Sequence, residues 1–253
     1  MIRINCISLA DQPERRTYMR QQFEHYALPY RFFDAIRVAS PDAQDSNWPA
    51  IYDRKQRLAY SGVDLRPGEM GCYLSHRAVW TEFLASDDEQ CLILEDDVGL
   101  SPDFTRVVEA LCAAQADWEL VRLFAMFKKP SFPARPLIRP YVLVDYLVQP
   151  NGTQGYLLNR VAAQRLLHHT ATMSVAIDTA LDRDWEHGVS IRGIEPYVLS
   201  HDELFETTLG TVNSQPLSPV RKLLREVHRV STSLRKQVWL FRKKRRLQAS
   251  SGD

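Results

Sequence analysis

The chain has 253 residues, of which 45% are hydrophobic and 25% are charged, and this is the composition of a globular protein with one main core. No run approaches the roughly 18 uncharged apolar residues that a membrane span needs, and residues 1–5 lack the layout of a secretion signal. The four cysteines have no zinc or redox spacing, so we expect reduced thiols. A cytoplasmic protein is therefore predicted.

Charge is unevenly distributed along the chain. Residues 221–247 contain eleven Lys or Arg and a single acid, Glu226. Residues 1–220 contain 21 basic and 29 acidic residues, so this part carries an excess of negative charge. The sequence predicts an acidic globular domain over residues 1–215 and a basic tail over residues 216–253.

A β-α-β unit opens the chain. Residues 2–9 predict a strand, a helix follows, and residues 30–35 predict a second strand. This order is typical of a nucleotide-binding α/β domain, and it places Ser8, Arg15 and Arg16 near the carboxyl end of the first strand. Arginines there could meet a diphosphate or a base. They could equally be surface residues on an exposed helical turn.

Two segments lack a regular pattern. Residues 38–66 contain scattered proline, glycine and aromatic residues, which predicts a long, partly ordered loop of the kind that often covers a site or binds an acceptor. Residues 128–140 contain four prolines among basic residues. They are likewise predicted to be a loop, and this loop could face an anionic acceptor.

The helix predicted from Pro67 contains two glycines in one turn, Gly68 and Gly71. Each glycine costs about 1 kcal/mol relative to alanine, so the pair indicates close approach of another backbone or of a ligand. His76 and Arg77 on the same helix are therefore candidates for ligand binding. A lone helical histidine is, however, more often structural.

Three adjacent carboxylates, Glu95, Asp96 and Asp97, follow the apolar run at residues 91–94. A short apolar run predicts a strand buried on both faces of a parallel sheet, and such sheets bind ligands beyond the carboxyl ends of their strands. Because side chains alternate, Glu95 and Asp97 share a face and could bind a divalent cation with the oxygens of a diphosphate. An isolated acidic triplet is also typical of a solvated turn or a helix cap.

Helices and strands continue to alternate after the triplet. Ser101-Pro102-Asp103 has the cap, proline and acid of a helix start. The other predicted elements are strands over residues 119–127, 141–148 and 191–198, a turn and strand over residues 151–158, and a helix over residues 162–169. Asp178 begins a further helix that ends near Gly188, and there it is equally consistent with a helix cap and with a catalytic role.

The segments that carry these candidate residues match a known pattern in their order. They are Ser8-Leu9, Pro13-Glu14-Arg15-Arg16, Phe33-Asp34-Ala35, the decapeptide at residues 68–77, the acidic run at residues 92–98, Gly152-Thr153 through Tyr156, and Ile177-Asp178. Together they resemble glycosyltransferase family 25 over roughly residues 2–200. That family contains lipooligosaccharide galactosyltransferases and the related collagen galactosyltransferase domains.

The resemblance implies an α/β, GT-A-like, Rossmann-type nucleotide-sugar-binding domain, a UDP-sugar donor that is usually UDP-galactose, an inverting displacement and commonly Mn²⁺. It assigns Glu95 and Asp97 to the metal- and ribose-binding acidic motif, with Asp97 as the expected direct ligand. His201 is a candidate to complete the metal shell, and a surface histidine is the alternative. A bound cation stabilises the negative charge that develops on the β-phosphate as UDP leaves.

The candidate residues of the β-α-β unit and of the glycine-containing helix, together with Glu95, are expected to bind the donor. The residues assigned to the donor are Ser8, Arg15, Arg16, Glu95, His76 and Arg77. Inversion requires one carboxylate that accepts the proton of the acceptor hydroxyl. Asp178 is the expected base, and Asp96 and Glu195 are the alternatives.

The basic tail predicts an amphipathic helix. Apolar residues recur at spacings of three and four at Leu223, Val227, Val230, Leu234, Val238 and Phe241. With Trp239 near its end, this helix is typical of an anchor to anionic lipid. It would hold residues 220–247 on the inner face of the cytoplasmic membrane, beside a lipid-linked glycan acceptor. A dimerising helix is the alternative.

The predicted protein is thus an inverting hexosyltransferase of lipooligosaccharide or lipopolysaccharide assembly, with a GT-A-like domain and a C-terminal basic amphipathic helix. One alternative is a metal-dependent nucleotidyltransferase, which should need a Gly-rich phosphate loop that the sequence lacks. Another is a binding module whose tail meets nucleic acid. The tail lacks the interleaved aromatic residues of such a module, so no nucleic-acid partner is expected.

Overall fold

Short apolar runs form a central sheet, and the segments between them form helices that cover it. A computed structural model describes residues 2–39, 49–201, 233–245 and 247. Within residues 2–201 the strands are β1 (Ile4–Ser8), β2 (Tyr30–Asp34), β3 (Gln90–Glu95), β4 (Val98–Leu100), β5 (Leu120–Arg122), β6 (Ser131–Ile138), β7 (Tyr141–Tyr146), β8 (Gly155–Asn159), β9 (Ile191–Glu195) and β10 (Leu199–His201). The α-helices are α1 (Pro13–His25), α2 (Arg54–Ser61), α3 (Pro67–Ala85), α4 (Phe104–Ala113), α5 (Arg160–His169), α6 (Ile177–Leu181) and α7 (Asp184–His187).

Eight strands form one mixed sheet in the order β2-β1-β3-β8-β5-β9-β7-β6, while β4 and β10 form a separate ribbon. β1 pairs in parallel with β2 and β3, whereas β3 pairs antiparallel with β8. The predicted α/β class is confirmed. The expectation of a purely parallel sheet around β3 is wrong, because an apolar run reports burial on both faces and not the direction of the neighbouring strand.

Alternate side chains of β3 enter two different cores. Leu92 and Leu94 belong to a core that α1 and α4 cover, whereas Cys91 and Ile93 belong to a core that α3 and α5 cover. All four are at most 3% exposed. By the same alternation Glu95 lies on the α3 side of the sheet, and this position determines the partners of its carboxylate.

Two segments predicted as loops contain regular structure. Helix α2 lies within residues 38–66, where Asp53 caps its first turn and Gly62 ends it at a φ of 83°. Residues 40–48 are outside the described part of the chain. Strand β6 lies within residues 128–140 and is the edge strand of the sheet. An edge strand tolerates proline because the missing N–H would face away from the sheet.

Three other elements differ from the prediction. Helix α4 begins at Phe104, because residues 101–103 form the turn that precedes it. The helix predicted to begin at Asp178 is divided into α6 and α7. The segment Leu199–His201 was not predicted as a strand, yet it pairs antiparallel with β4 as β10.

Residues 233–245 form a helix, here called the C-terminal helix, that contacts α7. Lys243 Nζ lies 2.7 Å from Oδ2 of Asp184, which is 5% exposed. The rings of Trp239 and Trp185 are 6.5 Å apart. One face of the helix is therefore held against the body by a buried ion pair and an aromatic contact.

Another face of the C-terminal helix is apolar and exposed. Leu234, Val238 and Phe241 are 62%, 55% and 64% exposed, and we call them the exposed stripe. Trp239 was expected to face lipid, but its ring lies beside α7. The earlier apolar positions of the tail lie outside the described residues: Leu223, Val227 and Val230. No helix among the described residues is both long and apolar enough to cross a membrane.

Gly71 allows α3 to approach the backbone that follows β2. A Cβ on Gly71 would lie 2.3 Å from the carbonyl oxygen of Ile36, which confirms the predicted approach of another backbone. One turn later, the Ser75 hydroxyl accepts a hydrogen bond from Ile36 N–H at 2.8 Å and donates to Gly71 O at 2.7 Å. The backbone of helix α3 therefore packs directly against the backbone of the segment after β2.

We expect Gly71→Ala to destabilise the protein, because displacing packed backbone costs about 1–3 kcal/mol and outweighs the gain of about 1 kcal/mol in helix propensity. Urea unfolding measures the change in free energy. Thr81→Ala, on the exposed face of the same helix, is the control and should change it by less than about 0.5 kcal/mol. Wild-type stability in Gly71→Ala would show that the segment at Ile36 moves without cost.

Candidate active site

A cleft of about 410 Å³ opens at the edge of the sheet where β1 and β3 end. Its walls are the end of β1, the segment after β2, the first turns of α3 and the acidic triplet. Six of the residues predicted for the site line it: Ser8, Arg15, Glu95, Asp96, Asp97 and His201. The cleft therefore lies at the sheet edge that the apolar run and the triplet indicate.

Arg15 holds the middle of the acidic triplet. Its Nη1 lies 2.7 Å from Asp96 Oδ1 and 3.7 Å from Asp97 Oδ2. Arg15 is 7% exposed and Asp96 is 8% exposed, so this ion pair is largely removed from water. The guanidinium comes from the first turns of α1, and it offsets part of the repulsion among three neighbouring carboxylates.

Asp97 is the least compensated member of the triplet. Its Oδ1 is buried and has no hydrogen-bond partner among the described residues. Burial, and then the charge of Glu95, raise the pKa of Asp97 to about 6, while His201 and Arg15 act in the opposite direction. His201 reaches this place because β10 pairs with β4, so that His201 lies opposite Val98.

Two side chains contact the same carboxylate oxygen of Glu95. Oε1 accepts a hydrogen bond from Thr153 Oγ1 and lies 3.4 Å from His76 Nε2. His76 is fully buried, and its Nδ1 lies 2.7 Å from the hydroxyl of Tyr156. Although burial acts to raise it, the pKa of Glu95 is lowered by His76 and Thr153. Glu95 is therefore held as a carboxylate.

Cys72 completes a compact group with His76 and Glu95. One ligand atom from each of the three lies within 4.8 Å of the others, which is a spacing that could hold a metal. Burial, followed by the charges of Glu95 and Asp178, raises the pKa of the Cys72 thiol well above its ordinary value. Cys72 and Glu95 of this group also line the cleft.

The structure does not bring the other two predicted donor-binding arginines to the cleft lining. Arg16 donates from Nη2 to Ser8 O at 2.8 Å and pairs with Asp34 at 2.5 Å, so it braces the ends of β1 and β2. Arg77 donates from Nη1 to Leu167 O at 2.9 Å, near the end of α5. Both arginines have local structural partners.

Two of the three candidate bases also lie outside the lining. Asp178 is in the first turn of α6 but is not its cap residue, and its Oδ1 accepts a hydrogen bond from Thr179 N at 2.5 Å. Its charge contributes to the raised pKa of Cys72, a residue that lines the cleft. Glu195 instead accepts a hydrogen bond from a serine of β6 at 3.0 Å.

Sequence reasoning missed Arg122, which supports one wall. This arginine is 2% exposed, and its Nη2 lies 2.6 Å from Asp182 Oδ1. Its Nη1 donates to the carbonyl of Gly152, which has a φ of 100°. The contact fixes the turn that carries Thr153 to Glu95 and Gln154 to the cleft. A charged residue inside an otherwise apolar strand was the available signal.

The sheet and the site define an α/β protein with an acidic ligand cleft at the carboxyl ends of β1 and β3. Residues 1–181 match glycosyltransferase family 25, described as an LPS biosynthesis protein family. The chain belongs to glycosyltransferase family 25. The family that the sequence resembles is thereby confirmed.

Two relatives illustrate the range of the similarity. The chain is 31% identical to procollagen galactosyltransferase 2 of Mus musculus over 172 residues, which are 65% of this chain and 27% of that protein. It is 26% identical over 218 residues to a Haemophilus influenzae protein provisionally named a glycosyltransferase, with 80% and 73% of the two chains covered. The chain thus spans about a quarter of the length of the procollagen relatives.

A solved structure was also similar. It is a glycosyltransferase involved in the glycosylation of the major capsid of PBCV-1, with a TM-score of 0.30 and 11% identity. The alignment covers 64% of this chain and 61% of that chain.

Proposed function

We propose that the protein is an inverting glycosyltransferase that moves a hexose from a UDP-sugar to a glycan acceptor. The observation that carries the proposal is that Asp97 Oδ1 has no hydrogen-bond partner among the described residues, in a cleft that Arg15 and His201 also line, in a member of family 25. The name of the mouse relative supports galactose as the hexose. The family description supports a lipooligosaccharide or lipopolysaccharide acceptor.

The side-chain types around Asp97 suit a divalent cation such as Mn²⁺, although among the described residues only Cys72, His76 and Glu95 bring three possible ligand atoms within 4.8 Å of one another. Carboxylate oxygens and an imidazole are ligands that Mn²⁺ accepts, and the buried Oδ1 of Asp97 lacks another partner among the described residues. Asp97, Glu95 and His201 would hold the ion. When bound, the cation supplies positive charge for the diphosphate of the leaving UDP.

The remaining cleft residues suit the nucleoside diphosphate. Ser8 ends β1, and Arg15 contributes a buried positive charge beside it. Residues 35–38, which Gly71 and Ser75 hold against α3, form the opposite wall. A wall fixed by backbone contacts can exclude water from the donor and orient it before transfer.

Asp178 suits the role of base better than Asp96 does. Asp96 is already engaged by Arg15 at 2.7 Å, so its oxygen is less available to accept a proton. Among the described residues the Asp178 carboxylate makes hydrogen bonds only to Thr179. The proposal requires the acceptor hydroxyl to reach Asp178 from the side of the cleft that Cys72 lines.

The acceptor is proposed to be a glycan linked to lipid on the inner face of the cytoplasmic membrane. The exposed stripe would enter the lipid, and the basic residues beside it would add about 1 kcal/mol each near an anionic surface. Arg235, Arg242, Lys244 and Arg245 are exposed on this helix. Lys243 is not, because it pairs with Asp184.

A donor screen tests the transfer itself. Purified protein should release UDP from UDP-galactose in the presence of Mn²⁺ and a truncated lipooligosaccharide, and chelation of the cation should stop this release. We expect Asp97→Asn to lower the rate by at least about a hundredfold, the scale for loss of a charge-stabilising group. Undiminished turnover in Asp97→Asn would remove Asp97 from the site.

The same variant makes an opposite prediction for stability. Because burial and neighbouring acids disfavour its ionised form, Asp97→Asn should raise the melting temperature of the cation-free protein at pH 7.5. Glu109→Gln, at an exposed position of α4, is the matched control and should change neither activity nor melting temperature. A lower melting temperature in Asp97→Asn would indicate a structural role.

The base assignment predicts a separation of binding from rate. Asp178→Asn should lower kcat by about a hundredfold or more while the KM for the donor stays within about threefold of wild type. Asp96→Asn should instead raise the KM, because it removes the ion pair that positions Arg15 in the cleft. The reverse pattern would transfer the role of base to Asp96.

Vesicle co-sedimentation tests the membrane proposal. The triple variant Leu234→Gln, Val238→Gln, Phe241→Gln should lose binding to anionic vesicles but keep activity on a soluble acceptor. Val161→Gln changes an exposed apolar residue of α5 and is the control. Substitution is preferable to truncation, because removing Lys243 would leave Asp184 buried without its cation.

Two results would contradict this proposal. Equal sedimentation of the triple variant and wild type would exclude the stripe as an anchor. A wild-type dimer that becomes monomeric in the triple variant, without any vesicle binding by either protein, would assign the stripe to a second copy of the chain.

A further inference from the structure

Three buried side chains and the partly exposed Glu95 form a hydrogen-bonded chain that ends at the cleft. Trp80 Nε1 donates to the Tyr156 hydroxyl at 2.9 Å, and that hydroxyl lies 2.7 Å from His76 Nδ1. His76 Nε2 then lies 3.4 Å from Glu95 Oε1. Trp80 and His76 are fully buried and Tyr156 is 1% exposed, so water does not compete for these groups.

The donors and acceptors of this chain determine the tautomer of His76. Trp80 can only donate, so it occupies one acceptor position of the Tyr156 oxygen. Among the described residues, the proton of the Tyr156 hydroxyl has one acceptor within reach, His76 Nδ1. Nδ1 therefore carries a lone pair, and the proton of a neutral imidazole is on Nε2. That N–H is directed at the Glu95 carboxylate.

Both hydrogen bonds to Glu95 are made to the same oxygen. Thr153 Oγ1 and His76 Nε2 both contact Oε1, and Oε2 has no hydrogen-bond partner among the described residues. Glu95 lines the cleft, and its side chain is 22% exposed. The contacts from Thr153 and His76 thus fix the rotation of the carboxylate, and Oε2 remains available to a ligand in the cleft.

We propose that His76 is a positioning residue: as the Nε2–H tautomer imposed by Tyr156, it fixes Glu95 so that Oε2 is presented to the donor's ribose hydroxyls or its cation. This inference rests on the proposed function for the identity of the ligand. It also assigns His76 a role other than direct donor or metal binding. The nitrogen that faces Glu95, Nε2, carries a proton and has no lone pair for a metal.

Nitrogen NMR tests the tautomer without any substrate. Protein labelled with ¹⁵N-histidine contains seven histidines, and the signal of His76 is identified by its loss in His76→Gln. We expect a neutral imidazole protonated at Nε2 at pH 7.5. A proton on Nδ1, or a doubly protonated ring, would overturn the proposal whether or not the protein transfers a sugar.

A matched pair of variants tests the contact with Glu95. His76→Gln retains a side-chain N–H donor, while His76→Leu has similar bulk and none. Both lose the contact to Tyr156, so the difference between them reports the donor to Glu95. With UDP and Mn²⁺ as the probe, the Kd should rise by about ten- to hundredfold in His76→Leu. His76→Gln should recover most of this loss, and equal affinities of the two variants would overturn the proposal.

A double-mutant cycle shows whether His76 acts through Glu95. Glu95→Gln alone should weaken UDP–Mn²⁺ binding, and adding His76→Leu should then change the Kd by less than about threefold. If the two substitutions raise the Kd independently, so that their fold-changes multiply, His76 does not act through Glu95. If wild type binds no UDP under any condition, the proposed donor is wrong, and the NMR result still decides the arrangement of His76 and Glu95.

Discussion

The concentration of negative charge at the end of a buried strand is the constraint on which the rest of the site depends. Three consecutive carboxylates begin at Glu95, the last residue of β3, and burial disfavours the ionised forms of Glu95 and Asp97. The three carboxylates differ in the partners that compensate their charge. Asp96 has the Arg15 guanidinium, Glu95 has hydrogen bonds from Thr153 and His76, and Asp97 has no compensating hydrogen bond at Oδ1 among the described residues. The ligand proposed for the cleft would supply a partner for Asp97.

The residues that surround the three carboxylates come from distant parts of the chain. Arg15 comes from α1, His76 from α3, Thr153 from the turn before β8, and His201 from β10. Adjacent pairing of β1, β3 and β8 brings three of those segments to one edge. The small ribbon of β4 and β10 brings the fourth. The mixed sheet is therefore what gathers short polar segments around one strand end.

The elements with strong local signals were predictable from sequence, and those defined by distant pairing were not. The start of α3 follows from Pro67, and the site edge follows from the apolar run before Glu95. Strand β10 has three residues, and its pairing with β4 spans about a hundred residues of chain, so no local pattern reports it. The prolines of β6 were misleading because their acceptability depends on its being the edge strand.

The contact between Gly71 and Ile36 has a consequence for how related chains can differ. A side chain of any kind at position 71 would occupy the space of the Ile36 carbonyl oxygen. The segment after β2 could then keep its path only if α3 moved away from it. This movement would enlarge the cleft that both elements line. A change at either place is therefore acceptable only with a matching change at the other, so two stretches far apart in the sequence must vary together.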